Sequence, residues 1–284
     1  MNSKPAKVLR DEPQQTSTRR PISMLASLAI ALHLPLVNEA EAWFHSKTVR
    51  TTSLWKSPPV DLDGLPVMLV GGLGCNLTML GSLNDWLHRL NCRVLVAPTR
   101  FGIGCGERTT RAVEKALERH VEATGEPVVT LAFSRGGQFA RPLAVRRPEL
   151  HRGLITLGSP LSRLLPAHPM LKANVFAIGL AGTFGVPGLF NAGCLWGSCC
   201  RQLRADIAGE FPKNVPFVSI FSKEDQAVDW QASVDPAARH REVTGTHGGL
   251  LWNPDSLSAI AEELDALANL SRVPSLVPNL ATVA

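Results

Sequence analysis

The chain has 284 residues, of which 45% are hydrophobic and 19% are charged, and its formal net charge is +5. This length and apolar content predict a single globular domain of enzyme size, with one large core or a core and an insertion. The basic excess lies near the N-terminus, and no compact basic stripe with interleaved aromatic residues follows it, which argues against nucleic-acid binding.

The six cysteines lack the regular spacing of a metal site. Three of them form a C-x4-C-C cluster, and three are scattered among predicted strands and loops: Cys194, Cys199 and Cys200, against Cys75, Cys92 and Cys105. This pattern leaves room for one local disulfide. It does not predict a disulfide framework or a metal centre.

The N-terminal residues 1–60 are predicted to form an extension and a linker, the latter at 53–63. The segment 19–42 holds two arginines, an apolar stretch and an A-x-A sequence, and so imitates a secretory signal peptide. His33 and Pro35 interrupt the apolar stretch, which favours a helix packed on the domain and is too broken for a membrane span. We therefore expect a cytoplasmic protein, with secretion as the alternative.

From residue 65 onward, apolar runs with strand character alternate with amphipathic segments. The predicted strands are 67–70, 93–97, 128–131, 153–157, 215–221 and 241–244, and the predicted helices are 79–90, 110–124 and 138–147. This alternation predicts an α/β fold with a mostly parallel sheet and helices on both faces. Ligands in such folds bind at the loops that follow the strands.

A small-x-Ser-x-Gly sequence at 132–136 follows the third predicted strand and precedes a helix. This pattern is typical of a nucleophile elbow, a strained turn that exposes the hydroxyl of a serine, here Ser134. Ala132 stands where the usual motif has glycine, and Gly136 and Gly137 keep the helix side free of side chains. The following backbone N–H, that of Arg135, would face a developing oxyanion.

The loop 71–74 after the first predicted strand is Gly-Gly-Leu-Gly. Its glycines would let the backbone approach a substrate oxygen, with the Leu73 N–H as the second oxyanion donor beside that of Arg135. A simple tight turn is the other interpretation. A nucleotide site is disfavoured, because the spacing does not complete G-x-G-x-x-G and no Walker lysine follows.

A serine nucleophile needs a base, and the base needs an acid that orients it. In this fold class the chain order is serine, acid, histidine. His247 lies in a glycine-rich loop after the last predicted strand, whereas His240 would lie at that strand's start. Asp225 follows the strand ending near residue 221, with Asp229 as the second candidate for the acid.

The segments 65–74, 132–137, 155–160 and 219–230, together with His247 and the following Asn-Pro, resemble the lipase/esterase-like branch of the α/β-hydrolase superfamily. The resemblance covers about residues 60–268 and includes uncharacterised bacterial members. It implies Ser134 as nucleophile, Asp225 as acid and His247 as base. The chain departs from the family pattern at three positions, which are Gly71, Ala132 and Gln226.

Residues 161–204 are too long for an ordinary connection and carry no charge from 173 to 200. We expect a mobile apolar cap that supplies an acyl pocket, with a buried core hairpin as the alternative. The predicted domains are then a hydrolase core at 61–160 and 205–270, the cap at 161–204, and a C-terminal tail at 271–284.

These features together predict a serine hydrolase that cleaves carboxylic esters of apolar acyl groups through an acyl-enzyme, without a metal or organic cofactor. The expected partner is a small-molecule or lipid ester, and an exposed apolar cap would also allow peripheral contact with a membrane. Two alternatives remain open, an acyltransferase that uses the same three residues and a non-catalytic lipid-binding protein.

Overall fold

A computed structural model describes residues 48–162 and 169–270. The predicted signal-like segment 19–42 and the C-terminal tail lie outside the described residues. Six strands form one sheet in the order β2-β1-β3-β4-β5-β6, and every pairing is parallel. The strands are β1 (Pro66–Val70), β2 (Arg93–Val96), β3 (Val128–Phe133), β4 (His151–Leu157), β5 (Phe217–Phe221) and β6 (Arg239–Glu242). The predicted α/β class is confirmed.

Helices lie in four of the five connections between consecutive strands, which suits parallel pairing, and one helix precedes β1 and one follows β6. The helices are α1 (Ser53–Lys56), α2 (Leu77–Arg89), α3 (Gly106–Thr124), α4 (Gly137–Arg146), α5 (Pro169–Thr183), α6 (Ala192–Leu195), α7 (Arg201–Ala208) and α8 (Pro254–Leu270). A capping side chain and a glycine explain where two of these helices begin or end. The Asn76 side chain accepts a hydrogen bond from the Met79 N–H at the start of α2, and Gly125 ends α3 in the left-handed conformation at φ 76°.

Two hydrophobic clusters cover the two faces of the sheet. Because successive strand side chains point to opposite faces, Val67 and Leu69 of β1 pack with residues of α2 and α8, whereas Met68 and Val70 pack with residues of α3 and α4. All five residues of β1 are buried, as expected for a strand covered by helices on both sides. The core therefore holds the strand ends in fixed relative positions.

Two local predictions are wrong. The expected linker at 53–63 begins with helix α1, whose Trp55 stacks on Trp86 of α2 at a ring distance of 5.6 Å. The helix has only four residues, too few to show an apolar periodicity from which to predict it. The last strand begins at Arg239 rather than at 241, so His240 lies inside β6.

The connection between β4 and β5 contains α5, α6 and α7. The predicted boundary between cap and core at residue 204 lies within α7, and the division into domains stays a prediction. Several large apolar side chains of this insertion are exposed, among them Phe176, Phe184 and Trp196. Nowhere in 48–162 or 169–270 does a helix combine the length and the hydropathy needed to cross a bilayer.

A buried ion pair joins α4 to the segments that flank β5. The Arg141 guanidinium donates a hydrogen bond to the Asp235 carboxylate at 2.6 Å and to the carbonyls of Asp206 at 2.8 Å and Gly209 at 3.0 Å.

Because the side chains of Arg141 and Asp235 are only 5% exposed, we expect Arg141→Ala to lower the free energy of unfolding by about 3–5 kcal/mol. Chemical denaturation measures this loss. The control Arg111→Ala removes an arginine that is 71% exposed and should change stability by less than about 1 kcal/mol; equal effects would contradict the prediction.

Candidate active site

Ser134 lies directly after β3, at the first position of a tight turn that leads into α4. Its backbone has φ 55°, a strained conformation for a residue other than glycine. The turn is possible because Gly136 and Gly137, the second and third residues after Ser134, have no side chains. A Cβ at Gly136 would lie 2.3 Å from the Val70 carbonyl oxygen, and one at Gly137 would lie 2.5 Å from the Ser159 Cβ. The local geometry is that of the predicted elbow.

The structure brings Ser134, His247 and Asp225 together. The His247 Nε2 atom lies 2.9 Å from the Ser134 Oγ, and its Nδ1 atom lies 2.6 Å from the Asp225 Oδ2. These side chains come from the ends of β3, β6 and β5, although 113 residues separate the serine from the histidine. The arrangement is a hydrogen-bonded line from a hydroxyl through an imidazole to a carboxylate.

Backbone hydrogen bonds hold the Asp225 carboxylate in its position beside His247. Its Oδ1 atom accepts hydrogen bonds from the backbone N–H groups of Ala227 at 2.9 Å and Val228 at 2.8 Å. The side chain is 2% exposed, whereas that of His247 is 17% exposed. The carboxylate is therefore buried and oriented, and the imidazole stays partly exposed.

The other two candidates lie in different surroundings. Asp229 accepts a hydrogen bond from the Gln231 N–H at 3.1 Å and begins a short helical turn. His240 uses its Nε2 atom to bond the Asp235 carbonyl at 2.8 Å. Both positions have local structural roles, which favours Asp225 and His247 for the chemistry.

The predicted oxyanion donors adjoin the elbow. A Cβ at Gly72 would lie 2.8 Å from the Ser134 Cβ and 2.9 Å from the Arg135 backbone nitrogen, so the loop after β1 packs directly on the turn. Within the described part of the chain, the Leu73 N–H donates to no backbone carbonyl. The loop that holds Leu73 and the turn that holds Arg135 are therefore adjacent, and their N–H groups stay the predicted oxyanion donors.

Two glycines that the sequence analysis missed shape this site. Gly102 has φ 63°, and a Cβ there would lie 2.5 Å from the Gly72 carbonyl oxygen and 3.0 Å from the Leu73 nitrogen. Gly158 has φ 51°, and its Cβ would come within 3.1 Å of the Asp225 Oδ2 and 3.2 Å of the His247 Nδ1. The signal for Gly158 was its position directly after a predicted strand at the loop edge of the sheet.

Gly158→Ala should therefore disturb the Asp225–His247 contact. The new methyl group would also lie 2.7 Å from the Leu250 Cδ1, and the positive φ adds strain. We expect a loss of about 1–3 kcal/mol in stability and a 10- to 100-fold drop in kcat, measured by denaturation and ester hydrolysis. Gly81→Ala in α2, where a Cβ meets nothing within 4 Å, should instead stabilise by about 0.5–1 kcal/mol. Unchanged kcat in Gly158→Ala would contradict this account.

A pocket opens from Ser134 towards the insertion between β4 and β5. Most of its lining is apolar and comes from α4, α5, α7 and the loops around them: Leu73, Phe139, Pro160, Leu171, Val175, Phe190, Leu195, Leu203, Ile207 and Val228. Three cationic side chains also line it, namely Arg135, Lys172 and Arg204, and none of the described lining residues is acidic. Lys172 and Arg204 belong to the predicted cap but lie outside its uncharged stretch 173–200, and Arg135 belongs to the turn after β3.

The Arg135 side chain is held between aromatic rings and backbone. Its guanidinium lies 4.7 Å from the Phe190 ring centre and 5.5 Å from that of Phe139, and it donates to the Gly102 carbonyl at 2.6 Å. Burial lowers the pKa of Arg135 to about 10, against the opposing attraction of nearby cysteines. The group therefore stays protonated at neutral pH and contributes a fixed positive charge beside the pocket.

No protein-family model and no curated protein matches the sequence. Solved structures do match the fold. The Bacillus licheniformis lipase BlEst2 is 12% identical with a TM-score of 0.55 and is matched over 73% of this chain and 94% of its own. The Paleococcus ferrophilus monoacylglycerol lipase is 17% identical with a TM-score of 0.51, over 72% and 96%. MGS-MChE2, an α/β-hydrolase enzyme from a lagoon-sediment metagenome, is 19% identical with a TM-score of 0.50, over 72% and 92%.

At these identities the likeness concerns the fold alone, and it agrees with the six-stranded parallel sheet. The chain has the α/β-hydrolase fold, and its structural neighbours are hydrolases that include lipases and esterases.

Proposed function

We propose that this protein is a serine hydrolase that cleaves carboxylic esters with an apolar acyl group. The observation that carries the proposal is the continuous line of hydrogen bonds from Ser134 through His247 to Asp225, at 2.9 and 2.6 Å. A hydroxyl on a strained turn, in contact with an imidazole that a buried carboxylate orients, is suited to nucleophilic acyl transfer.

In the first half-reaction the Ser134 Oγ attacks the ester carbonyl while His247 Nε2 takes the hydroxyl proton. Asp225 keeps the other proton on Nδ1 and stabilises the imidazolium that forms. The backbone N–H groups of Leu73 and Arg135 hold the oxyanion, and each such donor lowers the barrier by about 3–4 kcal/mol. His247 then protonates the leaving alcohol, and the acyl-enzyme remains.

In the second half-reaction water takes the place of the alcohol. His247 removes its proton as the water oxygen attacks the acyl-enzyme, and the same two N–H groups hold the second oxyanion. Collapse of this intermediate returns the proton to Ser134 and releases the acid. These steps use the chain's own residues throughout.

The pocket lining supports an apolar acyl chain. Burial of each methylene against side chains such as Val175, Phe190 and Ile207 contributes about 0.8 kcal/mol to binding. The positive charges of Arg135, Lys172 and Arg204 would attract an anionic or polar group of the substrate or product at the pocket wall. The exposed Phe176, Phe184 and Trp196 support transient contact with a lipid surface that carries the ester.

The test is hydrolysis of p-nitrophenyl esters from short to long acyl chains, together with labelling by an alkyl fluorophosphonate. We expect turnover with an optimum at one chain length and a single adduct on Ser134, identified by peptide mass spectrometry. Absence of both turnover and adduct would overturn the proposal. Turnover that transfers most of the acyl group to an added alcohol rather than to water would favour the acyltransferase instead.

A further inference from the structure

Four of the cysteines converge on one point. Cys105 immediately precedes α3, Cys194 lies in α6, and Cys199 and Cys200 belong to a tight turn just before α7. All four sulfur atoms lie within 4.8 Å of one another. In the sequence the first of them is 94 residues away from Cys199, which is why spacing alone did not predict the cluster.

The separations match one tetrahedral ion. The distances from the Cys105 sulfur are 3.3 Å to Cys199 and 3.6 Å to Cys200, and those from Cys199 are 3.6 Å to Cys194 and 3.7 Å to Cys200. A zinc ion with Zn–S bonds of about 2.3 Å sets its four sulfurs about 3.8 Å apart. These four separations are close to that value, and no pair of the four sulfurs is more than 4.8 Å apart.

The surroundings suit a negatively charged centre. Cys105 immediately precedes α3, so its sulfur belongs to the N-terminal end of a 19-residue helix. The positive end of the helix dipole stabilises negative charge, such as that of a thiolate.

Two arginines add positive charge near the four cysteines. The Arg204 guanidinium donates to the carbonyls of Cys194 at 2.8 Å and Gly197 at 2.7 Å, so it fixes the loop that bears the cysteines. Arg135 lines the same pocket as Cys194 and Cys200. Four thiolates and one divalent cation carry a net charge of about −2, which two nearby guanidinium groups offset.

We propose that Cys105, Cys194, Cys199 and Cys200 bind one zinc ion. With four protein sulfurs the coordination is closed, so the ion has a structural rather than a catalytic role. It clamps the insertion between β4 and β5 onto the start of α3. Cys194 and Cys200 also line the pocket that contains Ser134, so the ion would fix one wall of that pocket.

The test begins with the metal content of the full chain, purified with a reductant and without chelators. We expect about one zinc per chain. Cobalt added to protein stripped of its metal should give the strong thiolate-to-cobalt charge-transfer absorption of a tetrahedral all-sulfur site. A weak spectrum typical of octahedral cobalt would overturn the proposal. This test uses the wild-type protein, so it does not depend on whether the variants fold.

Variants then locate the ion. Cys199→Ser changes an exposed residue, and Cys105→Ser removes the ligand from α3; each should retain at least about tenfold less zinc after dialysis. Cys75→Ala and Cys92→Ala alter buried cysteines outside the cluster and should keep the full amount. Ser134→Ala should also keep it, which separates this proposal from the proposed function. Three results would each overturn the zinc proposal. They are a zinc content of the wild-type protein no higher than background, two disulfide bonds in non-reduced mass spectra, and equal zinc contents in the Cys199→Ser and Cys75→Ala proteins.

Discussion

Ser134→Ala is expected to lower kcat for ester hydrolysis by about 10⁴- to 10⁶-fold. The substitution removes the only atom that would bond to the acyl group, while the hole formed by the Leu73 and Arg135 N–H groups is left in place. Since the hydroxyl contributes little to the apolar pocket, KM should change by less than about threefold. Steady-state kinetics on the best p-nitrophenyl ester measure both constants.

Ser162→Ala is the matched control. Ser162 is an exposed serine that follows β4, and its Oγ lies 3.4 Å from the Ala232 carbonyl rather than near a histidine. Its loss should leave kcat unchanged. If Ser134→Ala keeps more than about a tenth of the wild-type kcat while remaining folded by circular dichroism, Ser134 is not the nucleophile.

Asp225→Asn is expected to lower kcat by about 10³- to 10⁴-fold. The two backbone N–H groups of Ala227 and Val228 at Oδ1 explain the size of this effect. They require an oxygen at that position, so an asparagine would turn its amide N–H₂ towards His247 Nδ1. The imidazole would then carry its proton on Nε2 and could no longer accept the proton of Ser134.

Asp229→Asn tests the second candidate for the acid in the same assay. An asparagine oxygen can still accept the hydrogen bond from the Gln231 N–H that Asp229 accepts at 3.1 Å. We expect kcat within about threefold of wild type. A large loss in Asp229→Asn with a small loss in Asp225→Asn would reverse the assignment of the acid.

Much of the fold could be predicted from local sequence. Buried strands such as β1 are short apolar runs, and parallel pairing follows from their alternation with helices. The candidate site followed from one further rule, that the carboxyl ends of parallel strands lie at one edge of the sheet. This rule placed Ser134, Asp225 and His247 in the same loop region before any distance was known.

Side-chain packing determines features of the site that the position of strand ends does not predict. Gly158 and Gly102 are required by the closeness of Asp225 and Leu73 respectively, and a glycine in a loop gives no sign of which atoms surround it. The side chain of Arg135 points towards Phe190 in the insertion, and the sequence around the turn does not indicate this direction. Only the tertiary structure shows which way such a side chain points.

The sequence by itself determined the α/β class, the strained turn at Ser134 and the order of the three candidate catalytic residues, because each depends on the residues next to it in the chain. The tertiary structure alone decided which aspartate bonds the histidine and which cysteines meet. Asp225 and Asp229 both follow β5, and only their hydrogen bonds distinguish them. Cys105 meets Cys199 because α3 and the insertion pack together, a long-range contact for which hydrophobic burial supplies the driving force and the local sequence gives no signal.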